Sequence, residues 1–238
     1  MACAIIDGLV KNGMEVEVVG RDEEKLKQKA KEFGISYALI DGYDIGGKTV
    51  ILAVKPYALQ EVSMRIKGKA DILISILAGK SLMELQQRIK ADFYIRAMPN
   101  LAAQYGASTT AVTGDEGAKE KALAILSNIG KTIWVKNDDE IDMATAIVGS
   151  APAFLAIIAE AISDGGVYIG LKRETAEELT KGLFESFAAL KEEFADIKNG
   201  VMSPKGTTAE GIYALEEEGV RGSFIKAIRK TYEKSKKI

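Results

Sequence analysis

The stretch EVEVVGRDEEKLKQKAKEF, Glu15–Phe33, changes character at Gly20. Up to that glycine it is short and rich in valine, which reads as a strand. From Asp22 it is charged and helical in spacing, and Asp22-Glu23-Glu24 stands where carboxylates cap free N–H groups and meet the positive end of a helix dipole. Strand followed by helix is the unit from which helix-covered parallel sheets are built.

The same alternation continues outward. Further strands are expected at Ser36–Ile40, Thr49–Val54, Asp71–Leu77, Phe93–Met98, Thr109–Thr113 and Thr132–Val135, with helices at Ala58–Ile66, Ser81–Ile89 and Asp115–Asn128. The rhythm predicts a mostly parallel, doubly wound α/β domain over residues 1–137. After about Asp138 strand signals vanish. Apolar residues recur at helical spacing through Ile141–Ile147, Ala153–Ile169, Ala176–Ile197, Thr208–Leu215 and Ser223–Tyr232, so an all-helical domain is expected over 138–238. Within it FLAIIAEAISDGGVYI, Phe154–Ile169, is apolar on most of its faces and suggests a bundle completed by another subunit. The end of the chain, Ser223–Ile238, interleaves basic residues with Phe224, Ile225, Ile228 and Tyr232, as a helix with a solvated basic face does. Upstream, MACAIIDGLVKN, Met1–Asn12, reads as a helix ended by Gly13. A doubly wound domain normally opens with a strand and a glycine-rich turn before this helix. Both are missing, and the expectation is a truncated or mis-started sequence in which Met1 is internal.

Composition narrows the chemistry. The chain has 238 residues, 47% hydrophobic and 28% charged, with a formal net charge of -2. No block of like charge marks a nucleic-acid or membrane partner, and no unbroken apolar run reaches the roughly 18 residues of a membrane span. Histidine is absent, which excludes His-based triads, His acid–base catalysis and His metal sites, and the carboxylates lack metal-ligand spacing. One cysteine, Cys3, allows no internal disulfide and fits a reducing compartment, with the cytoplasm as the default.

Four prolines mark four rigid loops: Pro56, Pro99, Pro152 and Pro204. The first two follow strands, in Ala53–Pro56 (AVKP) and Arg96–Asn100 (RAMPN), where open α/β sheets bind ligands. Arg21, at the end of the opening strand, suits the 2′-phosphate of NADPH by bidentate pairing, whereas Asp22 as a ribose ligand would argue for NADH. The loop Met202–Thr208 (MSPKGTT) opens a helix, and its N–H groups and hydroxyls form an anion site or an ordinary N-cap by Ser203 or Thr207. Ser150, in Val148–Pro152 (VGSAP), reads as an interhelical turn or part of a site.

Taken in order, these segments resemble the pyrroline-5-carboxylate reductase family. MACAIIDGL is similar to the helix after the family's G-x-G-x-M phosphate loop, Ala53–Pro56 to A-V-K-P, Arg96–Asn100 to R-x-M-P-N, Val148–Ala153 to S-G-S-G-P-A, and Ser203–Thr208 to S-P-G-G-T-T. The resemblance covers essentially the whole chain. It implies NAD(P)H-dependent reduction of 1-pyrroline-5-carboxylate to L-proline, a Rossmann-like domain, and a helical domain that forms a homodimer or higher homo-oligomer. It implies that Ala53, Val54, Lys55, Pro56, Met98, Pro99 and Asn100 line the nicotinamide side of the cofactor. It implies too that Ser203, Gly206, Thr207 and Thr208 hold the substrate. The N–H groups of Thr207 and Thr208 then face its carboxylate, and the Thr208 hydroxyl, the expected catalytic group, faces its ring nitrogen.

The sequence departs from the family at several points. The first strand and phosphate loop are absent, which would expose two strand edges and a broad apolar face. Leu101 stands where the family has Thr-Pro, Ala151 replaces a glycine, and Lys205 replaces the first glycine of the substrate loop. A related imine reductase and a non-catalytic oligomeric homologue are the alternatives these departures leave open.

Overall fold

All seven predicted strands form. β4 (Thr49–Leu52), β6 (Ala70–Ser75), β7 (Ala91–Met98), β8 (Ser108–Gly114) and β9 (Gly130–Trp134) make one five-stranded sheet in that order. Every pair in it is parallel except β7–β8. The sheet is thus mostly parallel, as the alternation predicts, and the one antiparallel step has a simple cause: residues 99–107 are too few for a crossover helix. β1 (Glu17–Gly20) pairs in parallel with β2 (Ser36–Leu39) as a separate sheet. A two-residue parallel pair, β3 (Tyr43–Asp44) with β5 (Ile66–Lys67), was too short for a sequence pattern to show.

This is a computed structural model, and it describes residues 1–236. The chain divides into two compact units, Met1–Gly149 with the residues from Thr231 on, and Ser150–Lys230. In the first, side chains of β6 alternate between two cores. Ile72 and Ile74 join Ile5, Leu9, Val112 and Leu126 on the face covered by α1 (Ala2–Lys11) and α5 (Lys119–Leu126). Leu73 joins Leu52, Leu59, Val62 and Leu85 on the face covered by α3 (Leu59–Arg65) and α4 (Leu82–Arg88). A strand buried on both faces needs apolar residues at every position, and Ile72-Leu73-Ile74 supplies them.

Between β1 and β4 the sheet is interrupted. Among the described residues, no strand pairs with the second edge of either one. Both edges instead line an open groove of ≈ 1020 Å³, with Ile5 and Leu9 of α1 and Ile125 of α5 along its walls. This is the exposed pair of edges and apolar face that the sequence reading expected.

α2 (Glu23–Phe33) starts at an Asp22 N-cap that accepts from Lys25 N at 3.1 Å, and ends at Gly34 with φ 67. Beyond β9 come α6 (Asp138–Ala144), a π-helical turn over Thr145–Ser150, and α7 (Ala151–Tyr168). Pro152 therefore sits in the first turn of a helix, where its missing N–H costs nothing, and the expected loop at VGSAP is a π turn. α8 (Arg173–Ala189) and α9 (Phe194–Val201) replace the single helix expected over Ala176–Ile197. The chain turns extended at Leu190 (φ -69, ψ 139), and Phe187 and Phe194 stack across the bend at 6.1 Å. Their spacing is two helical turns, so periodicity alone reads straight through the break.

α10 (Thr207–Glu217) and α11 (Val220–Ser235) complete the chain. The last two residues of the basic helix expected over Ser223–Ile238 lie outside the described residues. Asp138–Tyr168 is a 31-residue helical stretch whose most apolar 18-residue window has a mean hydropathy of 1.8, long and apolar enough by length and composition to cross a membrane, and only 11% of that window is buried. A search for an unbroken apolar run passes over it because Glu160 and Asp164 interrupt the run.

Candidate active site

The carboxyl ends of β1 and β4 both open onto the groove, and the loops that follow them carry the predicted cofactor residues. Ala53 and Val54 line the groove, while Lys55 is exposed and precedes a 3-10 turn over Pro56–Ala58. Proline at the first position of that turn fixes its start. Arg21 follows β1 directly. Its Nη1 donates to both carboxylate oxygens of Glu61 at 3.1 Å, across from the start of α3. Asp22 is occupied otherwise: it caps α2 and pairs with Lys25 Nζ at 2.9 Å, which holds its carboxyl below the usual range. That use is the N-cap half of the sequence reading.

The loop after β7 is built differently. Met98 and Pro99 are buried, and Asn100 is half-buried. Met98 packs in a small core with Ala111 and Ile141. Asn100 N–H donates to Ser108 Oγ at 3.1 Å, and its side chain accepts from Ala102 N–H at 3.1 Å, capping the 3-10 turn of Leu101–Tyr105. Leu101, at the departure from the family pattern, is 72% exposed and not part of that cap. A side chain added at Gly149 would lie 3.9 Å from Met98 Sδ, so the π turn also bears on this loop.

Arg96, two residues before Met98, is 1% exposed. Its Nη1 donates to Asp138 Oδ1 at 2.5 Å and its Nη2 to Asp142 Oδ1 at 3.0 Å. Asp138 Oδ2 in turn accepts from Leu82 N–H at 3.0 Å, at the start of α4. A buried guanidinium is stable only if carboxylates face it, and here they come from α6. The clamp joins β7, α4 and α6 around the loop that holds Met98–Asn100. Sequence reading used Arg96 as a motif residue and passed over Asp138, Asp142, Glu61 and Ser108. Only the i,i+4 spacing of Glu61 and Arg65 was visible in the chain.

In the helical unit the predicted substrate residues gather at one helix start. The N-cap of α10 is Gly206, and no side chain caps it, so neither Ser203 nor Thr207 plays the ordinary capping role. Ala209 N–H donates back to Gly206 O at 3.1 Å, while the amides of Thr207 and Thr208, at the first two helical positions, have no partner within the helix. Gly206 N–H donates to Ser203 O at 2.9 Å, and a Cβ on Gly206 would meet Ser203 Oγ at 2.3 Å. A side chain there would have to turn the Ser203 hydroxyl away and press on Ser203 O, 3.0 Å distant. Thr208 is half-buried, while Ser203 and Thr207 are exposed. Lys205 adopts φ 58, the only non-glycine residue with positive φ among the described residues.

Fit to a nicotinamide dinucleotide is carried by the groove-lining strand ends and by Arg21; a glycine-rich pyrophosphate cradle has no counterpart among the described residues.

Comparison with known proteins agrees with this layout. The family model described as "Pyrroline-5-carboxylate reductase dimerisation" matches residues 138–238, and "NADP oxidoreductase coenzyme F420-dependent" matches residues 1–79. A pyrroline-5-carboxylate reductase of Helicobacter pylori (strain J99) is 36% identical, over 98% of this chain and 95% of its own. The structure of such a reductase from Coxiella burnetii superposes with a TM-score of 0.88 at 28% identity, covering 99% of this chain and 94% of the other. The NADP-bound pyrroline carboxylate reductase of Plasmodium falciparum shares the fold, with a TM-score of 0.77 at 24% identity, covering 98% of this chain and 92% of that one.

Proposed function

The chain belongs to the pyrroline-5-carboxylate reductase family, and from that premise we propose how its residues divide the work of reducing 1-pyrroline-5-carboxylate to L-proline. It is an NAD(P)H-dependent oxidoreductase acting on a CH–NH bond, and its helical part is a dimerisation domain. When bound, the nicotinamide cofactor supplies the hydride.

In this reading residues 1–137 bind the cofactor, and 138–238 bind the substrate and a second copy of the chain. Ala53, Val54, Lys55 and Pro56 hold the nicotinamide side together with Met98, Pro99 and Asn100. Arg21 pairs with a 2′-phosphate, which favours NADPH over NADH. The N–H groups of Thr207 and Thr208 receive the substrate carboxylate, helped by the α10 dipole. Ser203 and Gly206 shape the turn that keeps those amides open. The Thr208 hydroxyl fixes the ring nitrogen. The protonated imine already carries its charge, so the protein must orient rings and exclude water rather than provide a strong acid. That matches a chain without histidine. The exposed apolar faces of α7 and α8 support association beyond a single chain. The lone Cys3 supports a reducing, cytoplasmic setting.

The observation that carries this proposal is the uncapped start of α10, with Gly206 pressed against Ser203. Its test is proline formation by the protein and by Thr208→Val, with NADPH and NADH compared. A hydrogen bond to a charged group contributes about 1.5–3 kcal/mol, so kcat/KM should fall by about tenfold to a hundredfold. Turnover within about twofold of the parent would remove Thr208 from the mechanism.

A further inference from the structure

We propose that Glu61 sets how strongly this protein distinguishes NADPH from NADH, by holding Arg21 and presenting a carboxylate where the nucleotide ribose binds. The inference rests on the reading that Arg21 meets the 2′-phosphate. Arg21 lies in the turn after β1 and Glu61 in α3, the helix that follows β4; these two strands line opposite sides of the groove. The guanidinium does not stand free. Its Nη1 lies 3.1 Å from both oxygens of Glu61. Glu61 also takes Arg65 Nη2 at 3.1 Å, and Arg65 Nη1 reaches Asp41 Oδ1 at 3.4 Å. Two guanidinium groups thus face two carboxylates, and the cluster is close to neutral.

That balance treats the two cofactors differently. A phosphate ester carries a charge of about -1.5 to -2. It must draw Arg21 off Glu61 and tolerate a carboxylate beside it. A ribose with a free 2′-hydroxyl carries no such charge, and a carboxylate at this place accepts from it. Glu61 therefore takes, from α3, the role an acidic residue at the strand end usually has. Asp22 is not available for it, being tied to Lys25 and the α2 cap. Arg65, left beside Arg21 in a Glu61→Gln variant, becomes a second cation for the phosphate. The side chains are partly exposed, 62% for Arg21 and 37% for Glu61, so solvent screens the effect.

The test compares the parent protein, Glu61→Gln, Arg21→Ala and the double variant. Two quantities are read: dissociation constants for NADPH and NADH from cofactor fluorescence, and KM for each at saturating substrate. Glu61→Gln should move the NADH-to-NADPH ratio about fivefold toward NADPH, a size set by exposed ion pairs. In the Arg21→Ala background the same change should move it less than about twofold. An equal shift in both backgrounds would mean a diffuse charge effect and overturn the proposal. So would a ratio that Glu61→Gln leaves in place while Arg21→Ala removes the NADPH preference. If Arg21→Ala itself leaves that preference intact, the Arg21 reading falls, and the proposal with it.

Discussion

The α/β unit and the helical unit bury their side chains to very different degrees. In the first, Leu73, Ile74, Ile95 and Val112 are at 0% exposure within two contiguous cores. In the second, among the described residues, only Ser163, Ala176 and Thr180 are buried. Leu155 and Ile157 are exposed there on α7, which is apolar on most of its faces, and Leu179, Leu183 and Phe187 on α8, where apolar and charged residues alternate. One unit makes its own core. The other has apolar faces in search of a core, as a dimerisation domain does before its partner is counted. The membrane-length stretch Asp138–Tyr168 shows the same lack of internal burial, with 11% of its most apolar window buried.

The contrast breaks most sharply if that surface is charged. Leu183→Asp in α8, and separately Ile157→Asp in α7, should turn the oligomer into monomers by light scattering and melt helical signal at temperatures where the parent is folded. An unpaired carboxylate buried in an apolar interface costs about 3 kcal/mol or more, and two-fold symmetry places it there twice. An oligomer that survives either change with its melting temperature intact would show that α7 and α8 stand on their own.

Arg96 tests the other side. Arg96→Met removes a buried cation from two carboxylates that hold α6 to β7. Asp138 and Asp142 are 31% and 23% exposed, so water relieves part of the loss. Urea titration should show the α/β unit destabilised by about 3 kcal/mol, with the helical interface unaffected in light scattering. A loss below about 1 kcal/mol would mean that the clamp is replaceable by packing alone. The same variant should raise the KM for cofactor, because Met98–Asn100 follow Arg96 directly on β7.

Much of this was readable from the chain because it is local. Strands rich in Val and Ile, the Asp22 cap and the positions of Pro56 and Pro99 after strands depend on neighbours in sequence. The ordered motifs at Ala53–Pro56, Arg96–Asn100 and Ser203–Thr208 carried the family. What escaped depends on distance along the chain or on backbone geometry. The Arg21–Glu61 pair spans forty residues and Arg96–Asp142 spans forty-six; nothing in spacing joins them. The break at Leu190 hides because Phe187 and Phe194 share a face either way. The antiparallel β7–β8 step follows from a short connection whose length was visible but not weighed. Burial of Met98 could not be read from a motif that merely places it near a loop.

The smallest effect lies in the one strained residue of the helical unit. Lys205 holds a left-handed backbone where the family pattern has glycine. Such a conformation costs a side-chain-bearing residue about 1–2 kcal/mol. Two variants separate the backbone from the charge. Lys205→Gly relieves the strain and removes the cation; Lys205→Ala removes the cation and keeps the strain. If the lysine is kept for its charge near the substrate carboxylate, both variants should raise the KM for 1-pyrroline-5-carboxylate by about twofold, the size expected of an exposed cation. Only Lys205→Gly should then gain stability, by about 1 kcal/mol in urea titration. If instead the lysine side chain crowds the loop, both variants lower that KM. Either outcome sharpens the contrast between the units. In the first case a side chain of the helical unit is kept at a backbone cost for its charge, whereas in the α/β unit the buried Arg96 is kept for what it holds together.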